Sequence, residues 1–394
     1  MIGRDSFLRF SDIADALAQQ PRATAPVMAS GKPIDLALAV LRAWRDGQPV
    51  LPLENADLAT PVPDSATAFA HLKRVPGVEQ PERFVAFTAG QVASDVDRIV
   101  AAMDLRPDHP NVAAISLAHS YGFSSILLPM LLHGIPIQLV EIPFPAAVSE
   151  AMAAHDQVVL PAVPSMWRAW ERGRTLDARR IRLAISAGAP LHSDLEWALW
   201  KSMDLKLHNF YGASECGGIA YDDRATPRES THSLGFPLDG VEVTLGDAAQ
   251  TLGVRSASVA VGYLPPDEVI FDGSFATDDC GAIRPDGELM FHGSVGDIIN
   301  VAGRKISPAR IESMMCESGL LDRVRVFGLP SSQPERVDEV AALIPQGTEV
   351  SPLRSWLSGK LEGWELPRHW FEAEDESAWA QDRRTLRERY ARHE

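Results

Sequence analysis

Phe84-Val85-Ala86-Phe87-Thr88-Ala89-Gly90-Gln91, running on through Val92, Val96, Ile99, Val100 and Met103, is the stretch on which the fold turns. Its first four residues are a short apolar run of the kind that fills a buried strand, and Thr88-Ala89-Gly90 supplies a turn after it. The apolar residues beyond Val92 recur four, seven, eight and eleven positions later, which puts them on one face of a helix that Pro107 closes. The same alternation continues downstream. Apolar runs at residues 112–115, 135–140, 158–160 and 181–186 are separated by helical stretches at 124–132 and 165–172. Strands that alternate with helices pair in parallel and are covered on both faces, so the fold class is α/β.

Upstream, Ser11 is placed to cap a helix through Leu17, residues 34–44 suit a buried helix, and the Pro-, Asp- and Ala-rich stretch from there to about residue 80 reads as loop. After Tyr221 the texture shifts to short alternating runs at 241–245 and 257–263, which predict a small antiparallel, barrel-like sheet. From residue 297 a helix at 307–316, strands at 323–327 and 340–344 and a closing helix at 383–392 predict a small α+β domain. A chain of 394 residues exceeds what one hydrophobic core usually organises. The expected division is therefore 1–295 and 297–394.

Bulk properties narrow the function. The chain is 45% hydrophobic and 23% charged with a mean hydropathy of −0.07, and no apolar run reaches the ~20 residues a bilayer span needs. The first twenty residues carry early acidic positions and no continuous apolar core, so a cytoplasmic protein is expected. A net charge of −16 argues against a broad nucleic-acid surface, while leaving room for a local basic site. Cys216, Cys280 and Cys316 form no CxxC pair and have no histidine at metal-ligand spacing, so they read as plain thiols of a reducing compartment.

The segment Asn209-Phe210-Tyr211-Gly212-Ala213-Ser214-Glu215 combines a ring that can stack on a base, a hydroxyl that can bond a phosphate and a carboxylate that can hold Mg²⁺ against a triphosphate. Alone it could be a surface turn. It is accompanied, in order along the chain, by Ser116-Leu117-Ala118-His119-Ser120-Tyr121-Gly122, Ser186-Ala187-Gly188-Ala189-Pro190, Phe275-Ala276-Thr277-Asp278-Asp279, Gly287-Glu288-Leu289, residues 297–308 and Leu366-Pro367-Arg368 with Arg383-Arg384-Thr385-Leu386-Arg387. This ordered set resembles the adenylate-forming superfamily of acyl- and aryl-CoA synthetases, luciferases and nonribosomal adenylation domains. The resemblance implies that Ser214, Glu215, Lys305 and His119 act in catalysis. It implies that Ser186, Gly188, Ala189, Pro190, Tyr211, Gly212 and Asp279 hold the nucleotide. It also implies an acyl pocket lined by His119, Tyr121, Phe123, Phe210, Gly217 and Gly218, with Glu215 as the Mg²⁺ ligand when ATP is bound.

The chain departs from that pattern at three places linked to phosphate chemistry. Members follow the first strand with a Ser/Thr/Gly-rich loop and Pro-Lys-Gly, whereas here Thr88-Ala89-Gly90-Gln91 passes straight into the helix. The usual Gly-Arg, just before a hinge that the resemblance puts near Gly296, is Gly293-Ser294, and the carboxyl-terminal Gly-Lys aligns with Trp379-Ala380. The expectation is a carboxylate-ligase homologue whose ATP half-reaction is impaired and which acts on an acyl-adenylate or acyl-thioester. AMP or acyl-AMP, and CoA or the phosphopantetheine of a carrier protein, are its implied cofactors and partners. Two alternatives stand beside it: a working ligase with unusual phosphate handling through Arg304, Lys305 or a Lys of the small domain, and a non-catalytic partner of an active ligase or carrier protein.

Overall fold

Strand and helix meet at a single residue. Arg83–Phe87 is a strand, Ala89–Ala102 is a helix, and Thr88 between them is its N-cap, accepting from the Gln91 amide at 3.3 Å while Gln91 returns a bond to the Thr88 amide at 2.9 Å. The turn expected at 88–90 is thus the cap and first residues of the helix. In this computed structural model the described residues are 9–54, 62–75, 83–140, 142–246, 250–264, 271–297, 299–301, 304–331, 337–375, 378–379 and 381–391. They form two compact units, one of residues 1–243, 254–275 and 286–289, the other of 244–253, 276–285 and 290–394.

The first unit holds two sheets. The larger runs Ile137–Leu139, Asn111–Ala113, Val158–Ala162, Ile181–Ser186 and Leu207–Ala213 in parallel, then Gly217–Tyr221 and Ser233–Pro237 in antiparallel order. Helices on the sheet bury Trp167, Trp170, Leu195 and Leu199 against Val158, Leu160 and Ala184. This is the parallel α/β layer that the alternation required, and the apolar runs are long enough to bury both faces of each strand. The smaller sheet runs Val27–Ala29, Val50–Pro52, His71–Val75, Arg83–Phe87 and Gly262–Leu264.

Three local readings are corrected here. Arg9, not Ser11, is the N-cap of the helix Phe10–Ala18. The stretch read as loop before residue 80 contains the strands Val50–Pro52 and His71–Val75 and a short 3-10 helix at Asp64–Ala68, because Leu51, Leu72 and Ala66 bury their side chains with Phe84 and Ala86. Of the run at 257–263, strand begins only at Gly262. The helix at residues 34–44 is present as Pro33–Arg45.

In the second unit a three-stranded sheet, Arg325–Pro330, Asp338–Ile344 and His369–Glu372, is covered on its two faces by separate clusters. Ile311, Met315, Leu353 and Leu357 pack on one face, Leu386 and Tyr390 on the other. Short strands Glu242–Leu245, Thr251–Arg255, Ser274–Ile283 and Leu289–Ser294 lie side by side in that order. The molecule is therefore α/β, as the sequence implied.

Candidate functional site

Register brings two of the sequence motifs together. Ile181–Ser186 pairs in parallel with Leu207–Ala213, with Ser186 opposite Asn209, so Ser186-Ala187-Gly188-Ala189-Pro190 and Tyr211-Gly212-Ala213-Ser214-Glu215 leave the same end of neighbouring strands. Ligands of open parallel sheets bind at that carboxyl end. Ser186 is fully buried and its hydroxyl has no hydrogen-bond partner among the described residues, while Gly188, Ala189 and Pro190 are exposed, with Gly188 at φ +80°.

The second motif is a hairpin. Leu207–Ala213 turns through residues 214–216 into Gly217–Tyr221, with Gly212 opposite Gly218. A Cβ at Gly212 would stand 2.6 Å from the Gly217 carbonyl oxygen, and one at Gly217 would stand 2.2 Å from an Asp95 oxygen, so glycine is required at both positions. Tyr211 is half-buried and Ser214 is exposed. The Glu215 carboxylate accepts from the Tyr263 hydroxyl at 2.8 Å, and the Glu215 carbonyl accepts from the Ala260 amide at 2.8 Å.

Behind the turn sits a polar group that sequence reading missed. Asp95, buried on the helix that replaces the expected loop, accepts from the Gly218 amide at 2.8 Å. Lys73, only 9% exposed, donates to the Ser214 carbonyl at 3.3 Å and lies 4.8 Å from the Phe87 ring centre. Burial pushes the Lys73 ammonium down and the Asp95 carboxyl up, each opposed in part by the other's charge. Asp95 was detectable, because it lies three residues after Val92 on the apolar face of its helix, where a carboxylate needs a partner. Lys73 gave no such signal while its strand read as loop.

His119 is exposed, and its Nδ1 accepts from the Tyr121 amide at 3.4 Å. Tyr121, Phe123 and Phe210 are buried, with the Tyr121 and Phe210 rings 6.3 Å apart. Burial raises the Tyr121 phenol, whose oxygen has no partner among the described residues. A cavity of about 340 Å³ opens beside the turn, lined by Leu53, Glu54, His71, Lys73, Arg74, His119, Ser120, Phe123 and Ser214 among others. Of the expected acyl-pocket residues, His119 and Phe123 line it, while Tyr121, Phe210, Gly217 and Gly218 are not on its wall.

Asp279 lies in the second unit, where its carboxylate accepts from the Ser294 hydroxyl at 2.9 Å. The serine that stands in for the expected arginine thus bonds the aspartate expected to hold ribose. Lys305 pairs with Asn300 in a two-stranded ladder, and its side chain lies outside the described residues, as do that of Arg304 and all of Ala380. Trp379 lies under the Arg323 guanidinium, 4.5 Å from the ring centre. Among the described residues no three His, Cys, Asp or Glu side chains converge as a metal cluster.

Comparison with known proteins follows this geometry. Residues 84–264 match the family described as AMP-binding enzyme. The chain is 26% identical over 301 residues to a feruloyl-CoA synthase of Amycolatopsis sp, a match that spans 71% of this chain and 61% of that relative. It is 27% identical over 242 residues to an acyl-CoA ligase, YhfT, of Bacillus subtilis, covering 57% and 48% of the two chains. Thus the chain spans about three-fifths of the first relative's length and half of the second's. Among solved structures, apo MatB from Rhodopseudomonas palustris superposes with a TM-score of 0.76 at 18% identity over 96% of this chain and 91% of that one. The o-succinylbenzoate CoA synthetase MenE of Bacillus subtilis, in complex with the acyl-adenylate intermediate OSB-AMP, superposes with a TM-score of 0.73 at 16% identity over 98% and 94%. Both share the fold.

Proposed function

We propose, for a chain that is a member of the adenylate-forming superfamily, that it handles a preformed acyl-adenylate or acyl-thioester instead of activating a free carboxylate with ATP. One observation carries this reading: Phe87 ends a strand, Thr88 caps the next helix, and no residues lie between them to enclose a β- or γ-phosphate. The hairpin at Tyr211–Glu215 and the turn at Ser186–Pro190 are both kept. An adenylate suits the donors present. The Ser214 hydroxyl is exposed and makes no hydrogen bond among the described residues, and the buried Ser186 hydroxyl likewise lacks an acceptor.

In this reading Tyr211 offers a ring face to adenine, with Gly188, Ala189, Pro190 and Gly212 allowing close approach. Ser214 donates to the α-phosphate, Asp279 holds the ribose, and Glu215 takes Mg²⁺ only if a triphosphate enters. His119, with Tyr121, Phe123, Phe210, Gly217 and Gly218, bounds the acyl group, and Lys305 serves as a cation near the reacting carbonyl. The acceptor is the thiol of CoA or of a carrier protein's phosphopantetheine, which forms the thioester as AMP leaves. Movement about Gly296, between 1–295 and 297–394, would admit that thiol. A cytoplasmic setting follows from the same reading. Among the described residues no helix is long and apolar enough to cross a membrane.

Titration calorimetry and pyrophosphate release test the proposal together. A non-hydrolysable acyl-AMP analogue and AMP should bind, ATP should bind no tighter than AMP, and pyrophosphate release with a panel of carboxylic acids should run roughly 10²- to 10³-fold below a complete ligase, the usual cost of losing one preorganised donor. Rapid pyrophosphate release would favour the working ligase. Failure of all nucleotide and acyl ligands to bind would favour the non-catalytic partner.

A further inference from the structure

The cavity beside Ser214 has a buried cation on its wall that no carboxylate of a described residue neutralises at contact distance. Lys73 makes one hydrogen bond among the described residues, to the Ser214 carbonyl, although an ammonium carries three donors. No carboxylate of a described residue lies within 4 Å of it; Asp95 and Glu215 act on it from farther away, and each already accepts a hydrogen bond, Asp95 from Gly218 and Ser124 and Glu215 from Tyr263. A buried charge left in that condition is costly, and a cavity on its open side is where its partner would stand.

Other cavity groups set the sign. His71, fully buried and stacked on Phe123 at 4.6 Å, is held neutral by burial and by the neighbouring Lys73 charge. Arg74, His119, Ser120 and the Ser214 turn also line the cavity, and Glu54 is its one carboxylate. The strand His71–Val75 that carries Lys73 lies next to Arg83–Phe87, the strand after which the phosphate loop is missing.

We propose that this cavity is an oxyanion site in which Lys73, with His119 and Ser120 at the wall, binds a phosphoryl or carboxylate oxygen of the ligand. The site deepens the adenylate reading and rests on it for the phosphoryl source. An acyl group bearing a second carboxylate is the other source of the same chemistry. Burial lowers the lysine's proton affinity, and an arriving anion restores it.

Paired ligands that differ by one anionic group decide the matter by calorimetry at fixed salt. AMP is compared with adenosine, and a dicarboxylic acid with its monocarboxylic homologue, with inorganic phosphate titrated alone. In the wild-type protein at least one anionic member should bind tenfold or more tighter than its partner, and which pair shows the increment identifies the source. Lys73→Met should remove that increment and leave adenosine or monocarboxylate binding unchanged, and Lys73→Arg should keep part of it. His119→Gln, at an exposed position, should weaken it about threefold and keeps the test open should Lys73→Met not fold. An increment that survives Lys73→Met or His119→Gln intact, or the absence of any increment in both pairs together with no phosphate binding, overturns the proposal. Adenosine that fails to bind at all sinks the adenylate reading separately, and the dicarboxylate pair and phosphate then still decide the oxyanion site.

Discussion

At the scale of single residues, one network of buried charges ties together several segments of the first unit. Arg228, 1% exposed, binds Glu196 through Nε at 2.6 Å and through its own amide at 3.1 Å, and also donates to the carbonyls of Leu191 and Ser233. Lys206 bridges Glu196 at 3.0 Å to Asp222 at 2.6 Å. Truncating one member strands its partner's charge, so Arg228→Ala should lower unfolding stability by about 3–5 kcal/mol, read from the urea midpoint at constant slope. An unchanged midpoint would mean that the network relaxes into solvent. The thiols offer a pH test. Cys316 is an exposed residue whose partly covered sulfur lies near Glu312, Asp322 and Glu317, and burial, reinforced by these charges, pushes its pKa up to about 11. Cys216 and Cys280 are buried. In the native protein one thiol per chain should alkylate, and its rate should climb about tenfold per pH unit from 7 to 10, following the thiolate fraction. A rate already flat at pH 8 would contradict the raised pKa.

At the scale of elements, the Leu207–Ala213 and Gly217–Tyr221 hairpin owes its shape to glycine. Gly212→Ala places a Cβ against the Gly217 carbonyl, a backbone atom that yields only if the two strands part. The expected cost is about 1–3 kcal/mol by thermal melt, together with weaker AMP binding because the turn carrying Ser214 shifts. Stability lost without any change in affinity would detach the turn from the site. The helix Ala89–Ala102 shows the same coupling of element and site, since the residue that ends the upstream strand is followed at once by its cap, and its buried face presents Asp95 to the hairpin.

At the scale of the whole molecule, each compact unit has its own apolar clusters, so unfolding should not be a single two-state event. Scanning calorimetry should resolve two transitions. A ligand of the Lys73 cavity, lined wholly by the first unit, should raise only that unit's transition, by about 2.7 kcal/mol at a hundredfold excess over its Kd. Two transitions moving together would show that the units unfold as one. From the sequence alone, the α/β class, the parallel pairing of the central strands, a helix from near Val92 and the direct passage from strand to helix were legible, because strand and helix periodicities and turn chemistry are local. The hidden strands at Val50–Pro52 and His71–Val75 were not, since Pro- and Asp-rich surroundings masked short segments whose burial comes from distant partners. What only the tertiary structure decided is the pairing of Lys73 with the Ser214 turn, 141 residues away, and the opening of a cavity beside it. A contact of that separation leaves no period in the chain, and it forms only once two sheets are packed so that the charge of one faces the turn of the other.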